Sequence, residues 1–363
     1  MATEAESELT QKRQEARNEI LALKEQIPTA RIFNWLGRPF KHNSSGYWLA
    51  NVVLLHLILL IPGTLIALVF EDVDILLRAV VPTTLGTELV ILGFIASHFA
   101  TRAALDDLAV QIVDHNKSTD DLSKLLEWLT HTWSGKHVLT VAIPFCLLWV
   151  LLAIGSWSFY LHRFVGFGLC LWYVTTGLLA GIVLYILQWF SLLAFNLRNY
   201  QYEMNAISPA DSEVIYDISH LMNRSIYVVS GVAAVITLLA TSSLVPQQIR
   251  SAFSLPLLTI AWAVIIPQFL LTRSTLGTII NRAKWITLNR IRTKINAIEA
   301  TGDLSDKDTT ERLFRLTDVH KQIMASKSNT LDLKSFSTLF SQLMLPLLGL
   351  LLGNLDKLSK LLP

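Results

Sequence analysis

The chain has 363 residues, of which 52% are hydrophobic and only 16% charged, with a net charge of +2 and 2 cysteines. A soluble domain of this size carries more charge and divides its apolar residues among shorter runs. The composition therefore excludes a soluble globular enzyme, gives no reason to expect a nucleic-acid partner, and offers too few cysteines for a disulfide framework.

The chain opens with MATEAESELTQKRQEARNEILALKEQI, which alternates charges, lacks an apolar core and reads as no signal peptide. Ala16, Ile20, Leu23 and Ile27 recur at spacings of four, three and four. That predicts an amphipathic helix ended by Pro28, the first part of a cytosolic and interfacial unit, 1–46.

Charge-free runs then follow at 42–70, 137–162, 164–197, 225–249, 251–272 and 335–355, with a further span expected near 84–103. Each is long enough for the roughly 20 helical residues that cross a hydrocarbon core. The expected fold is all-α: a polytopic helical membrane protein of six to seven transmembrane helices. Short connections between paired spans carry single bases, Arg78, Arg163 and Arg250, whereas the others carry more, culminating in Arg273, Arg282, Lys284, Arg290, Arg292 and Lys294 with no acid before Glu299. The positive-inside rule places the N-terminus and the longer connections in the cytoplasm.

The run 164–197 exceeds what a membrane crossing needs. Its apolar positions narrow to a stripe, Leu193, Leu197, Tyr200, Met204 and Ile207, which predicts a helix continuing into the cytosol against a partner. Ser208 and Pro209 read as the start of the returning helix, with Val214, Ile218 and Leu221 as its facing stripe. Two further connections share the pattern. Leu105, Leu108 and Ile112 precede Ser118–Asp121, followed by Leu122, Leu126 and Leu129; Leu288, Ile291, Ile295 and Ile298 precede Ser305–Asp308, followed by Leu313, Leu316 and Ile323.

Cytosolic helical hairpins are thus expected to extend from spans 2, 4 and 6, in a weak three-fold internal repeat of units 47–136, 137–224 and 225–334. Residues 335–363 complete the chain with an apolar helix that either spans or re-enters, holding Pro346 and small residues, and a short tail.

Glu88 stands alone in its apolar stretch. Either a helix starting near Thr84 or Thr87 holds it in a first turn facing outer water, or it is an ion or proton site inside the bundle. His56 lies mid-span, and with Gln188 and Gln268 completes the candidate polar intramembrane positions. Arg282, Lys284, Arg290, Arg292 and Lys294, beside Trp285, are candidates for binding anionic lipid headgroups or an acidic partner at the cytoplasmic face. His115 and Asp120 match an H-x4-D acyltransferase pattern, a short pattern that doubles here as a helix restart. No other catalytic motif, metal site or cofactor signature is visible. The expectation is an oligomeric ion channel or transporter with a cytosolic helical anchor, forming a homo-oligomer in the bilayer. The alternative is a non-conducting sensor, tether or scaffold; an embedded enzyme ranks last.

Overall fold

The structure, a computed structural model, describes residues 2–36, 50–59, 65, 73–161, 167–241, 247–301, 307–326 and 333–354. Regular structure among them is helical save for one isolated bridge between Asn116 and Tyr202. The helices are α1 (Ala2–Leu23), α2 (Pro28–Leu36), α3 (Ala50–Leu59), α4 (Val73–Asp107), α5 (Thr119–Thr132), α6 (Gly135–Leu161), α7 (Phe167–Leu197), α8 (Glu213–Thr241), α9 (Gln247–Thr301), α10 (Lys307–Ala325) and α11 (Leu333–Gly353).

Four of the described helical segments are long and apolar enough to cross a membrane: Gly86–His115, Gly135–Gly155, Leu169–Leu197 and Ala261–Ala300. The expected six to seven crossings are therefore matched in part. The apolar helices Ala50–Leu59 and Ser337–Gly353 are shorter. In α8 the first half carries Glu213, Asp217 and Arg224, and its charge-free stretch within the described residues, 225–241, falls short of the roughly 20 residues a crossing takes.

At one end of these helices a polar-faced base is built around the largest buried core. Helix α1 ends at Leu23 rather than at Pro28, which instead begins α2. Ala16, Ile20 and Leu23 of α1, with Ile27 from the turn between the two helices, are buried in this base against Leu105, Leu108 and Ile112, and Leu122 and Leu129 of α5 close the same core with Leu193, Leu197 and Ile218. Ion pairs tie α1 and the turn after it to α4 and the segment that follows it: Arg17 to Asp114, Lys24 to Asp106 at 2.5 Å, and Glu25 to Arg102 at 3.1 Å. Ser118 caps α5 by accepting from the Asp121 amide at 3.4 Å, as its position before the apolar run predicts.

The helix α7 corrects one expectation. It stops at Leu197, so Tyr200, Met204 and Ile207 are not a continued helical stripe, and Ile207 is exposed. Its terminal carbonyls find partners that more turns would otherwise supply. The Tyr202 hydroxyl donates to Leu197 O at 2.9 Å and Arg282 donates to Asn199 O at 2.7 Å. Ser208 likewise caps no backbone amide; its hydroxyl donates to the Asp211 carboxylate, and α8 begins after the short turn Pro209–Asp211. Ser305, the third expected restart, lies outside the described residues.

Helices α6 and α7 lie side by side, α8 packs between α9 and α11, and α10 folds back on α9. Leu288, Ile291 and Ile323 join α9 to α10, with Ile295 and Leu316 beside them. Ile226, Val229, Ile265 and Phe269 join α8 to α9, with Leu339 and Leu343 of α11 packed on them. Cys146 and Cys170 are free, the first placed against Val174 O at 3.3 Å.

Candidate functional site

Helix α4 starts at Val73, eleven or more residues ahead of where the composition suggested. Glu88 is consequently not in the first turn of its helix, and it is the third residue of the apolar segment Gly86–His115. At helical rise it stands about 15 Å past Arg78 and about 21 Å before Arg102. It sits inside the apolar stretch, a position that a carboxylate occupies at a cost unless it is paired.

Its partner is His56. The imidazole Nε2 lies 2.9 Å from Glu88 Oε2, and Nδ1 lies 2.6 Å from Val52 O on the preceding turn of α3. A carbonyl oxygen only accepts, so Nδ1 carries a hydrogen. With Nδ1 protonated, the contact at Nε2 needs one more proton, either on the ring or on the carboxyl. The pair is therefore imidazolium with carboxylate, or imidazole with carboxylic acid, and the two forms differ only in which side of a single hydrogen bond holds the proton. Both side chains remain about a third exposed at the rim of the bundle, at 29% and 32%.

The surrounding packing fixes both partners. Leu55 and Leu59 of α3 meet Ile91 and Phe94 of α4, with Phe33 and Leu36 of α2 and Leu179 of α7 filling the same cluster. One residue before Glu88, Thr87 accepts from the Trp172 indole of α7 at 2.9 Å, setting the rotation of α4. Asn51, one turn ahead of Leu55, is 2% exposed, and its side-chain oxygen has no hydrogen-bond partner among the described residues. Asn51 is a polar residue within the same apolar run as His56, so the reasoning that singles out His56 would also have found it.

The other candidate residues lie elsewhere. Gln188 is exposed on α7. Gln268 is buried on α9 and accepts from the Ser191 hydroxyl of α7 at 2.5 Å, a bond between helices. In the basic run, Lys284 is 8% exposed and its ammonium donates to Met324 O at 2.9 Å and Ser326 O at 2.8 Å. Arg282 holds the end of α7, while Arg290, Arg292 and Lys294 are exposed. His115 and Asp120 do not meet: His115 faces Asp217 across 3.7 Å and Asp120 pairs with Lys124 at 2.5 Å. Among the described residues no three His, Cys, Asp or Glu side chains are grouped to hold a metal. No protein-family model, curated protein or solved structure matches the chain.

In the base, burial raises the Asp217 carboxyl above its usual range, against the opposing pull of His115. The folded pKa then exceeds the unfolded one, so the folded state holds a proton that the unfolded chain releases. Stability from this residue is present below about pH 4, the unfolded carboxylate range, and is lost as pH rises through the folded value. Melting profiles between pH 4 and 8 are expected to show a smaller loss on going upward in Asp217→Asn than in the parent protein. Parallel profiles would show that Asp217 contributes nothing to that slope.

Proposed function

We propose that the chain is a multi-pass integral membrane protein with its N-terminus and base in the cytoplasm, acting as an oligomeric channel or transporter whose path includes the His56–Glu88 pair. The pair carries this reading. An ionisable side chain at this depth is expensive, and here two of them share one proton at a rim accessible from outside the bundle. A histidine and a carboxylate in hydrogen-bond contact supply the donor and acceptor that proton binding linked to movement of a second solute, or to opening of a path, would use.

The test uses purified protein in phosphatidylcholine liposomes with a pH-sensitive dye inside. An imposed gradient is expected to drive proton or ion flux that falls at least tenfold in Glu88→Gln and in His56→Ala, with protein recovery unchanged. Glu88→Gln keeps a hydrogen-bonding side chain at the site, so its loss of flux isolates the proton. Flux that persists in both variants would remove the pair from any path.

A non-conducting sensor, tether or scaffold is the second reading. It is favoured by exposed apolar side chains on the base, Trp285 and Ile286 of α9 with Phe314 and Met324 of α10. Aqueous surfaces seldom leave such groups together unless another protein covers them. In a channel the cover is a second copy; in a tether it is a different protein. Native mass in nanodiscs separates these, since a discrete oligomer supports the first and a stable monomer the second.

A further inference from the structure

Away from the His56–Glu88 pair, a cleft of about 120 Å³ opens in the base between α9 and the segment joining α7 to α8. Lys117, Arg282 and Arg290 line it, and among the described residues no carboxylate does. The side chains of Lys117 and Arg290 make no hydrogen bond or ion pair among the described residues. The acids closest in sequence to the walls are already engaged. Asp121 accepts from the Gln201 amide at 2.9 Å, and Glu203 pairs with Arg13 at 2.5 Å. Asn205 adds a donor: its side-chain oxygen accepts from the Ile207 amide at 3.0 Å and the Ser208 amide at 3.4 Å, which leaves its NH2 group to the cleft.

This positive site is held in shape by its backbone. The Lys117 amide donates to Gln201 O at 3.0 Å and the Glu203 amide to His115 O at 2.6 Å, the short bridge that fixes both wall segments. Tyr200 and Tyr202 lie buried beneath, their hydroxyls spent on Asn196 and Leu197. Arg282 is held by its bond to Asn199 O, which positions its charge at the cleft. Met204, Ile279 and Ile286 supply an apolar wall beside the three cations.

We propose that this cleft binds a soluble phosphate-bearing small molecule, its phosphate held by Lys117, Arg282 and Arg290 and its organic part resting on Met204, Ile279 and Ile286. Guanidinium forks match phosphate oxygens, and three cations balance a dianion with charge to spare. The volume admits a small group and no helix or strand of another protein. Position argues for a soluble source. Past Arg273, where the charge-free stretch of α9 ends, Arg282 lies about 14 Å and Arg290 about 26 Å further along the axis at helical rise. A headgroup would have to leave its bilayer to arrive. Lys117, in the segment joining α4 to α5, and Arg290 of α9 come from opposite walls, so an anion between them draws that segment onto α9.

The experiment titrates full-length protein in nanodiscs of phosphatidylcholine alone with inorganic phosphate and with phenyl phosphate, following melting temperature and heat of binding. Saturable binding of both is expected, tighter for phenyl phosphate and weakened by added salt. In the double variant Lys117→Gln, Arg290→Gln the dissociation constant is expected to rise at least tenfold, while melting without ligand is unchanged because neither side chain holds a hydrogen bond or ion pair among the described residues. Arg292→Gln, exposed and outside the cleft, keeps parental binding. No saturable binding in these discs overturns the proposal, as does binding that the double variant retains. Binding seen only when vesicles contain phosphatidic acid would assign the site to lipid and overturn the soluble source.

Discussion

Gly349→Val is expected to detach α11 and lower stability by about 3 kcal/mol or more, toward or beyond the upper end of what overpacking costs. A Cβ built on Gly349 would overlap the carbonyl oxygen of Ala234 on α8 and stand 3.0 Å from that carbonyl's carbon. One turn on, a Cβ on Gly353 would overlap the Thr241 hydroxyl and stand 2.8 Å from Leu238 O. Side chains can rotate away from an added methyl; the backbone of α8 can yield only by moving the whole helix. The two glycines are four apart, as close helix approach in membranes requires. Hydrogen exchange across 337–353 should rise in the variant and the melting temperature in detergent should drop. Gly277→Ala in α9 supplies the contrast, because nothing lies within 4 Å of its added Cβ. There the expected change is a small gain of about 0.5–1 kcal/mol from helix propensity. Equal effects from both substitutions would refute close packing at Gly349.

How far the sequence foretells this architecture depends on whether local periodicity or tertiary contact decides the outcome. The stripe Ala16, Ile20 and Leu23 is legible because a helix face repeats whatever it packs on, and all three are buried on α1; Ile27 is buried too, but past the end of the helix. The end of α7 is not legible. No Gly or Pro stops the helix after Leu197; instead Tyr202 donates to Leu197 O, and Arg282 of α9 donates to Asn199 O two residues past the helix. A local pattern cannot report a partner that arrives from 83 residues away. The G-L-L-L-G spacing of 349–353 did offer a signal, and counting small residues without their register passes over it.

The candidate site divides the same way. Glu88 and His56 were each conspicuous as polar residues in apolar runs, but their meeting depends on the register between α3 and α4. The position of Glu88 well inside a helix was obscured by Glu71, Asp72, Asp74 and Arg78, charges that disguise how early α4 begins. The phosphate-type cleft was out of reach, because it joins Lys117 to a helix far along the chain.

Lys284→Met is expected to free α10 from α9, with a loss of about 2–3 kcal/mol, whereas Arg292→Met, an identical change in charge, should fall within about 0.5 kcal/mol of the parent. Composition treats these two bases as members of one positive run. Position separates them: Lys284, Leu288, Ile291 and Ile295 recur at spacings of four, three and four, so the lysine lies on the seam that faces α10. Its ammonium donates to Met324 O, in the last turn of α10, and to Ser326 O just beyond it. Methionine keeps the stem and its packing but leaves those carbonyls unpartnered beside an apolar tip. Apart from this contact α10 leans on few apolar side chains, chiefly Ile323, which is fully buried against Leu288 and Ile291. Hydrogen exchange over 307–326 should therefore accelerate in Lys284→Met while exchange in α1 and α5, in a separate core, stays as it was. If instead Arg292→Met loosened α10 as much, the run would be acting through its summed charge rather than through one buried ammonium.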